Sequence, residues 1–432
     1  MQGMSKAGSK VRKNAGGDAL LSYEQAAGVV ASWTAACAMR PAKEPVELTN
    51  ALDRVLAVPL KADDDQPSFA RSTRDGFACR AAEANAHAWL KLAGHTHAGQ
   101  SPGGPLPKGS AWEIMTGAPV PRSANAVAML EHVEREGERV RLQKTRRLEV
   151  GENVVARGAQ ARKRDVLLEP GATLGAPQIA LAAACGAGVV EVFRRPRVAI
   201  LTTGDELVPV DQKPGPGQIR NSNAPMLAAL VRGAGGEPWV LPRAADTAEA
   251  LDRVLEGALA APAGVQMLLV SGGVSAGIFD LVEPALERHG AKLHFTGVRM
   301  QPGKPLVFGE APGEVGGVVP FFGLPGNPIS SAVTFLLFGA TVLAALAGRR
   351  HGGPRFAMAR LTKPVKTKAG LTRFLPALCN WNPAKGKEPE VAAVQWHGSG
   401  DQAAFARSNC FVVVPETADG LKAGAMARIL LM

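Results

Sequence analysis

Three short apolar runs along the chain each end in a glycine-rich loop, and a helix-like pattern follows each loop. They are RPRVAILTTGDEL (Arg195–Leu207), VQMLLVSGGVSAGIFD (Val265–Asp280) and VVPFFGLPGNPISS (Val318–Ser331). Apolar runs that alternate with helices predict a parallel sheet buried on both faces. Such sheets bind ligands outside the carboxyl ends of their strands, so we expect the three loops to meet at one site.

The other segments have different periodicities and predict further domains. Residues 22–60 are predicted to form two helices ending at Pro59, and a helical pattern returns at Ala176–Gly188. Residues 61–158 are rich in glycine, proline and short alternating runs, which indicates a small β domain. Residues 351–432 alternate again and predict a small β-barrel-like domain. The patterns together predict a multi-domain α/β chain.

One apolar segment, Ile329–Gly348, approaches the length of a membrane span. Serine, threonine and glycine dilute it, and it directly follows the PGNP loop, so we interpret it as a core helix of the sheet and expect no membrane association. Residues 1–21 carry basic side chains without an apolar core behind them, so we expect a disordered basic tail and no signal peptide.

Composition narrows the class of partner. The net charge of +11 favours anionic ligands, but the basic residues are dispersed, aromatic residues are 5% of the chain, and no nucleic-acid-binding motif is present. We therefore expect a small phosphorylated ligand and no nucleic acid. The 5 cysteines are scattered without a CxxC pair, which fits a reducing cytoplasm and predicts neither disulfides nor a zinc cluster.

The loops carry residues suited to phosphate and a divalent cation. In TTGDEL, Asp205 and Glu206 are adjacent carboxylates after a strand, and such oxygens can hold Mg²⁺ against a phosphate. In SGGVSAG, the glycines allow close backbone approach to a phosphate, and Asp280 could join the metal. The structural alternatives are a helix N-terminal turn for the acids and an ordinary tight turn for the glycines.

Two proline-flanked loops add a cation and a helix start. PGKP places Lys304 in a stiff loop, where a lysine can face an oxyanion or simply occupy a surface turn. PGNP places Asn327 where it could cap the following helix. The histidines form no metal-type pair, and HTH at His95–His97 is interpreted as a structural loop.

These motifs resemble those of the molybdopterin molybdenumtransferase family, the MoeA-type enzymes that include the E domain of gephyrin. Further segments with the same resemblance are PSFARSTRDGFA (Pro67–Ala78), IMTGAPVP (Ile114–Pro121), MQPGKPLVFG (Met300–Gly309) and HGSGDQAAFARSNCFVVVP (His397–Pro415). They occur in the family's order and cover about residues 20–432.

The resemblance implies a function and a domain plan. The implied reaction is insertion of molybdate into adenylylated molybdopterin with release of AMP, supported by Mg²⁺. The implied plan has an elongated helical and β domain, an inserted small β domain, a parallel-sheet molybdopterin-binding domain and a C-terminal β-barrel-like domain. The expected bounds are 22–60 with 159–193, then 61–158, 194–350 and 351–432.

The resemblance also implies an active site shared across a homodimer. Asp75 and Thr116 would enter from the β domain of one chain and act on the sheet domain of its partner, although Asp75 alone could be a turn residue. Upstream and downstream proteins of the cofactor pathway remain open as further partners.

The candidate residues fall into four groups by role. The catalytic candidates are Asp75, Thr116, Asp205, Asp280 and Lys304. The substrate-binding candidates are Thr203, Gly204, Ser222, Asn223, Ser271, Gly272, Gly273, Ser275, Pro325, Gly326 and Asn327. The molybdate candidates are Lys304, Ser330, Arg373 and Ser399, and the metal candidates are Asp205, Glu206 and Asp280.

Three positions depart from the family pattern. Ala159 and Gln160 stand where the family commonly has Glu-Asp, Gln266 where an acid often precedes the SGG strand, and Gln301 where a second lysine often precedes PGKP. The departures remove one carboxylate and one positive charge from the expected sites. Two other functions stay open from the sequence, namely a molybdopterin adenylyltransferase and a non-catalytic molybdopterin-binding scaffold.

Overall fold

The computed structural model describes residues 20–36, 41–245, 247–260, 264–272, 279–313, 317–350, 352–381 and 388–432, with the backbone alone at 279 and 280. The chain divides into two compact units. We call residues up to 44, 53–57 and 191–432 the sheet-and-barrel unit, and residues 45–52 and 58–190 the β unit. This division is coarser than the predicted four domains, whose bounds stay a prediction.

The three predicted strands lie side by side in the sheet of the sheet-and-barrel unit. Arg197–Thr203, Met267–Gly272 and Val318–Leu324 are adjacent and parallel. Glu237–Val240 extends the parallel part, while Val307–Pro312 and Lys292–Thr296 pair antiparallel at the other edge. The three predicted strands are parallel as expected, and the antiparallel edge was not predicted. Residues 313–317 are too few for the crossover that a parallel pair requires.

Helices cover both faces of this sheet, as the buried apolar runs predict. Alternate residues of each strand point to opposite faces, so Ile200 and Leu269 join one hydrophobic core while Leu201 and Leu268 join the other. The helices associated with this sheet are Tyr23–Ala36, Asn223–Gly233, Ala248–Leu259, Phe279–Arg288, Pro328–Thr334 and Ala340–Leu346, with a π-helical turn at Phe335–Gly339 between the last two.

The long apolar segment packs inside the first of these cores. Pro328–Leu346 is long and apolar enough to cross a membrane, but 78% of its most apolar window is buried in the fold. Phe335 and Phe338 are fully buried in this core, and the Phe338 ring packs edge-on against Tyr23. The segment is therefore apolar because it is a core helix of this fold.

The N-terminal segment contains one of the two predicted helices. Tyr23–Ala36 begins with a reciprocal cap, since Gln25 Oε1 accepts from Ser22 N at 2.8 Å and Ser22 Oγ from Gln25 N at 3.1 Å. The second predicted helix is wrong, because Lys43–Glu47 is a strand and Leu48–Asn50 is a single 3₁₀ turn. Pro45 lacks the N–H that a helix interior needs, whereas alternating exposure suits a strand.

The β unit contains β strands, as its alternating pattern predicts, and they form a mixed sheet. Its strands, in spatial order, are Ala126–Met129, Gly76–Cys79, Ser110–Ile114, Leu90–Thr96, Arg139–Leu142 and Val133–Glu136. The helix predicted near residue 180 is Ala176–Ala184. The loop interpretation of His95–His97 is wrong in part: the strand extends to Thr96, whose Oγ1 accepts a hydrogen bond of 2.6 Å from Trp112 Nε1.

The C-terminal residues form the predicted barrel. Pairing runs around a closed ring of strands, Thr372–Asn380, Glu390–Ala393, Phe356–Leu361, Met426–Leu431 and Cys410–Val414, which pairs again with Thr372–Asn380. Inward-facing Ala377, Val391, Val412 and Ile429 fill the interior. A short helix, Gln402–Ala406, lies before the strand at Cys410.

Candidate functional site

A pocket of about 500 Å³ opens where the parallel strands of the sheet-and-barrel unit end. Each of the three predicted loops contributes residues to the lining, as expected for loops at the carboxyl ends of parallel strands. The predicted residues that line it are Thr203, Glu206, Ser222, Asn223, Ser271, Gly272, Gly326 and Asn327. The other described lining residues are Thr202, Leu207, Pro214, Gln218, Ile219, Arg220, Asn221, Pro328, Gly400 and Gln402.

The first loop holds its two carboxylates differently. Gly204 has φ +139, a backbone conformation that favours glycine, and the Glu206 carboxylate lies over this turn, with Oε2 2.6 Å from where a Cβ of residue 204 would be. Asp205 is exposed and pairs at 3.6 Å with Arg243, which also donates to Gly204 O at 2.8 Å. Glu206 therefore faces the pocket, while Asp205 faces a cation.

The pocket floor is fixed by Asn223. Its Nδ2 donates to Ser271 Oγ at 2.9 Å and to Gly326 O at 2.6 Å, which joins the second and third loops. Ser331 Oγ donates to Pro325 O and lies 3.4 Å from Ser271 Oγ. Pro325 thus supports the floor through its carbonyl, although it is not among the residues that line the cavity.

Two polar atoms beside the cavity are buried without a partner among the described residues. They are Thr203 Oγ1 and Asn223 Oδ1. Buried polar atoms are nearly always hydrogen-bonded in folded proteins, so unpaired atoms at a cavity indicate a place for a polar ligand or water. This observation agrees with the polar substrate that the loops predict.

The C-terminal barrel supplies another wall. Gln402 Nε2 donates to Ser222 Oγ at 2.7 Å, and Ser399 O accepts from Ile329 N at 3.0 Å, at the start of the core helix. Asp401 holds the shape of this loop by accepting from the backbone N–H of Ala404 and of His397, and these bonds lower the pKa of its carboxyl. Asn327 occupies the predicted N-cap position, but its side chain makes no capping hydrogen bond and lines the pocket instead.

The predicted molybdate residues lie in neighbouring elements. Gln301 is paired in register with Arg373 on adjacent parallel strands, and Lys304 follows in the same PGKP loop with an exposed side chain. Arg373 donates to Lys368 O at 3.1 Å. Ser330 is 4% exposed in the first turn of the core helix, directly beside the backbone contact with Ser399.

The two candidates in the β unit form a direct pair. Asp75 Oδ1 accepts from Thr116 N at 2.6 Å and from Thr116 Oγ1 at 2.8 Å. The backbone N–H first, and the hydroxyl second, lower the pKa of Asp75. Both residues are exposed, so the carboxylate is held ionised and accessible to solvent.

The structure describes only part of the predicted metal site and of the SGGVSAG loop. Gly273 and Ser275 lie outside the described residues, as does the side chain of Asp280. Among the described side chains, no three His, Cys, Asp or Glu groups come together as a metal site. Asp205 and Glu206 remain the candidate oxygen ligands at this loop.

The three departures from the family pattern lie in different surroundings. Gln266 Oε1 accepts from Arg197 N at 2.7 Å at the amino-terminal end of its strand, the opposite end from the pocket, so it has a structural role. Gln160 is exposed in the β unit, and its N–H donates to Gln66 O at 2.8 Å. Gln301 alone lies beside a candidate ligand residue, Arg373.

Several lining residues were missed from the sequence. Gln218, Arg220 and Asn221 belong to the polar run QIRNSN before the helix Asn223–Gly233, and this run was the available signal. Arg243 and Gln402 lie in unremarkable segments and reach the site through tertiary structure alone.

Fold and pocket define a multi-domain α/β protein with a polar ligand pocket at the carboxyl ends of parallel strands. Three family descriptions match the chain in order: MoeA N-terminal region (domain I and II) at residues 21–186, probable molybdopterin binding domain at 199–345, and MoeA C-terminal region (domain IV) at 358–432. The chain belongs to the MoeA-type molybdopterin molybdenumtransferase family.

Individual relatives agree over nearly the full length. A molybdopterin molybdenumtransferase from Nostoc sp. is 34% identical over 86% of this chain and 85% of its own. One from Bacillus subtilis is 33% identical over 90% of each chain. A molybdopterin biosynthesis MoeA protein from Pyrococcus horikosii superimposes with a TM-score of 0.73 at 32% identity, over 96% of this chain and 99% of its own.

Proposed function

We propose that this chain inserts molybdate into adenylylated molybdopterin, releasing AMP and the finished molybdenum cofactor. The observation that carries the proposal is the pocket that residues of all three predicted loops and of the barrel line together. Its relatives are named for the same transfer, and they match the chain from its N-terminal region to its barrel.

We assign substrate positioning to the pocket floor. Thr203 Oγ1 and Asn223 Oδ1 are buried and have no described partner, so both can bond to the bound substrate without losing an existing contact. Gly272 and Gly326 lie at or just after the ends of two adjacent strands, where glycine lets a substrate approach the backbone closely. Such prearranged groups favour a reactive geometry because the cost of ordering them is met on folding.

We assign Mg²⁺ binding to Asp205, Glu206 and Asp280. Carboxylate oxygens at a pocket mouth suit this cation, which would neutralise charge on the pyrophosphate. Glu206→Gln should therefore weaken the binding of Mn²⁺, measured by electron paramagnetic resonance, relative to Glu249→Gln on an exposed helix turn. Equal binding by the two variants would contradict the assignment.

We assign the molybdate dianion to Lys304, Arg373, Ser330 and Ser399. The register of Gln301 with Arg373 brings the segments of Lys304 and Arg373 together, and the bond from Ile329 N to Ser399 O brings the segments of Ser330 and Ser399 together. A planar guanidinium and a compact ammonium would contact different oxygens of the dianion. Gln301 leaves this pocket with less positive charge than a second lysine would provide.

We further propose a cytoplasmic homodimer with shared active sites. Asp75 and Thr116 of one chain would act at the sheet pocket of its partner. The ionised, solvent-accessible carboxylate of Asp75 supports a catalytic role, since the pair of bonds from Thr116 fixes its orientation.

The reaction itself is tested by release of AMP. Purified protein is incubated with adenylylated molybdopterin and either molybdate or tungstate, and AMP is measured by chromatography. We expect AMP release that depends on the oxyanion, reduced in Glu206→Gln and unchanged in Glu249→Gln. No AMP from a folded, substrate-binding protein would favour a scaffold, and adenylylation of molybdopterin from ATP would favour an adenylyltransferase.

A further inference from the structure

Arg220 is the positively charged side chain among the described residues that line the pocket. Glu206 is the negatively charged side chain among these residues, and the others are uncharged. The proposed substrate carries phosphate groups, and the predicted cations Lys304 and Arg373 are not among the lining residues. Arg220 is therefore the described cation within reach of a phosphate in this pocket.

The backbone around Arg220 is fixed by a short strand pair. Ile219–Arg220 runs parallel to Leu207–Val208, with Val208 in register with Arg220. Ile219 N donates to Glu206 O at 2.8 Å, and Asn221 N donates to Val208 O at 2.9 Å. The arginine is thus attached to the same loop that presents the Glu206 carboxylate.

The guanidinium itself is held at one nitrogen. Arg220 Nε donates to Gln212 O at 3.0 Å, and within the described part of the chain this is its one hydrogen bond. The terminal nitrogens retain donors in the planar arrangement that matches two oxygens of a phosphate. Anchoring at Nε lowers the side-chain entropy that ligand binding would otherwise cost.

Arg243, the other nearby arginine, is already engaged. It donates to Gly204 O at 2.8 Å and pairs with Asp205 at 3.6 Å. The floor offers unpartnered Thr203 Oγ1 and Asn223 Oδ1, which are neutral. Neutral groups on the floor and one anchored cation on the wall form a suitable environment for a phosphate.

We infer that Arg220 binds the nucleotide phosphate of the substrate and sets the preference of the pocket for a phosphorylated over an unphosphorylated nucleoside. The inference rests on the proposed function, because adenylylated molybdopterin supplies that phosphate and AMP retains it. Arg220 is a binding residue here, distinct from the residues assigned to metal and molybdate.

The test measures binding of AMP, adenosine and molybdate by isothermal titration calorimetry. The variants are Arg220→Gln and Arg220→Lys. The control is Arg253→Gln, on a helix outside the pocket. Arg253 is a matched control because its Nε also donates to a backbone carbonyl, Glu249 O, at 3.3 Å. We expect Arg220→Gln to weaken AMP about tenfold, which is about 1.4 kcal/mol. Adenosine should bind unchanged, and Arg220→Lys should retain part of the AMP affinity.

Ionic strength gives a second readout. The wild-type affinity for AMP should fall with added salt more steeply than that of Arg220→Gln, because a charge pair is screened and a neutral contact is not. Thermal unfolding of each variant checks that the fold is intact.

The outcomes separate the arginine from the proposed function. Unchanged AMP affinity in Arg220→Gln overturns the inference alone, and so does equal weakening of adenosine, which would indicate a structural role. A lower affinity for molybdate with an unchanged affinity for AMP also overturns the inference, because Arg220 would then bind molybdate and not the nucleotide phosphate. A wild-type protein that binds no AMP contradicts the proposed function itself.

Discussion

At the scale of single residues, the candidate residues include three carboxylates whose environments differ. Asp75 accepts two hydrogen bonds from Thr116, Glu206 lies over a glycine turn, and Asp205 faces Arg243. The sequence motifs identify these acids because their types and spacing are local. Their partners decide which carboxylate is held ionised, which faces the pocket and which is paired with a cation.

The hydroxyl of Thr116 should account for part of the low pKa of Asp75. Thr116→Val removes the hydroxyl and keeps the backbone N–H, so the pKa of Asp75 should rise yet stay below its ordinary value. A depressed carboxyl pKa stabilises the fold above the unfolded-state pKa, and this contribution is lost as pH falls through the folded-state pKa. The variant's loss of stability should therefore be present at neutral pH and absent in acid.

Carbon-13 NMR titration of the aspartate carboxyls measures this pKa, with urea unfolding at neutral and acidic pH beside it. Thr145→Val, an exposed threonine in the same unit, is the control. A pKa of Asp75 that does not move would show that the hydroxyl bond is not formed in solution.

Gln301→Lys should strengthen molybdate binding. Gln301 is in register with Arg373 on parallel strands, so a lysine there would add charge beside a candidate ligand residue. A charge-assisted bond contributes about 1.5–3 kcal/mol, and the exposure of this position favours the lower end, about tenfold. Calorimetric titration of molybdate measures the change against Met358→Lys, which adds the same charge on an exposed barrel strand. Equal affinities in all three proteins would place the oxyanion elsewhere.

At the scale of elements, the strands of the sheet and of the barrel were predictable, because their apolar runs and alternation reflect burial directly. Two kinds of element were not. Lys43–Glu47 was mistaken for helix because short segments around a proline carry a weak pattern. The wall formed by Gln402 could not be foreseen, since its partner Ser222 lies 180 residues away and ordinary polar residues give no signal of such a contact.

The contact between Gln402 and Ser222 should contribute to nucleotide binding by holding the barrel loop against the pocket. A neutral hydrogen bond contributes about 0.5–1.5 kcal/mol net, so Gln402→Ala should weaken AMP about two- to tenfold. Ser222→Ala removes the same bond from the other side. In a double-mutant cycle on the AMP affinity, the two effects should therefore be less than additive. Fully additive effects would show that the two side chains do not act together.

At the scale of the whole molecule, the multi-domain α/β architecture follows from length and periodicity, since 432 residues exceed one ordinary core. The assembly does not follow from them. The surfaces through which two copies of a chain meet carry no periodic pattern that separates them from other surface. The shared site therefore stays a proposal, and it has a direct test.

Complementation between two inactive variants tests the shared site. Asp75→Ala removes the contribution of the β unit, and Glu206→Gln removes that of the sheet pocket. In a mixed dimer with C₂ symmetry, one site combines both defects and the other combines two intact halves. The purified mixed dimers should thus be active at about one half of their sites. Subunit exchange is verified by purification through two different tags, and AMP release is measured on the mixed dimers.

Asp75→Ala mixed with the double variant is the control, because no site then has an intact Asp75. Mixed dimers that form and stay as inactive as this control would show that each site is built from one chain.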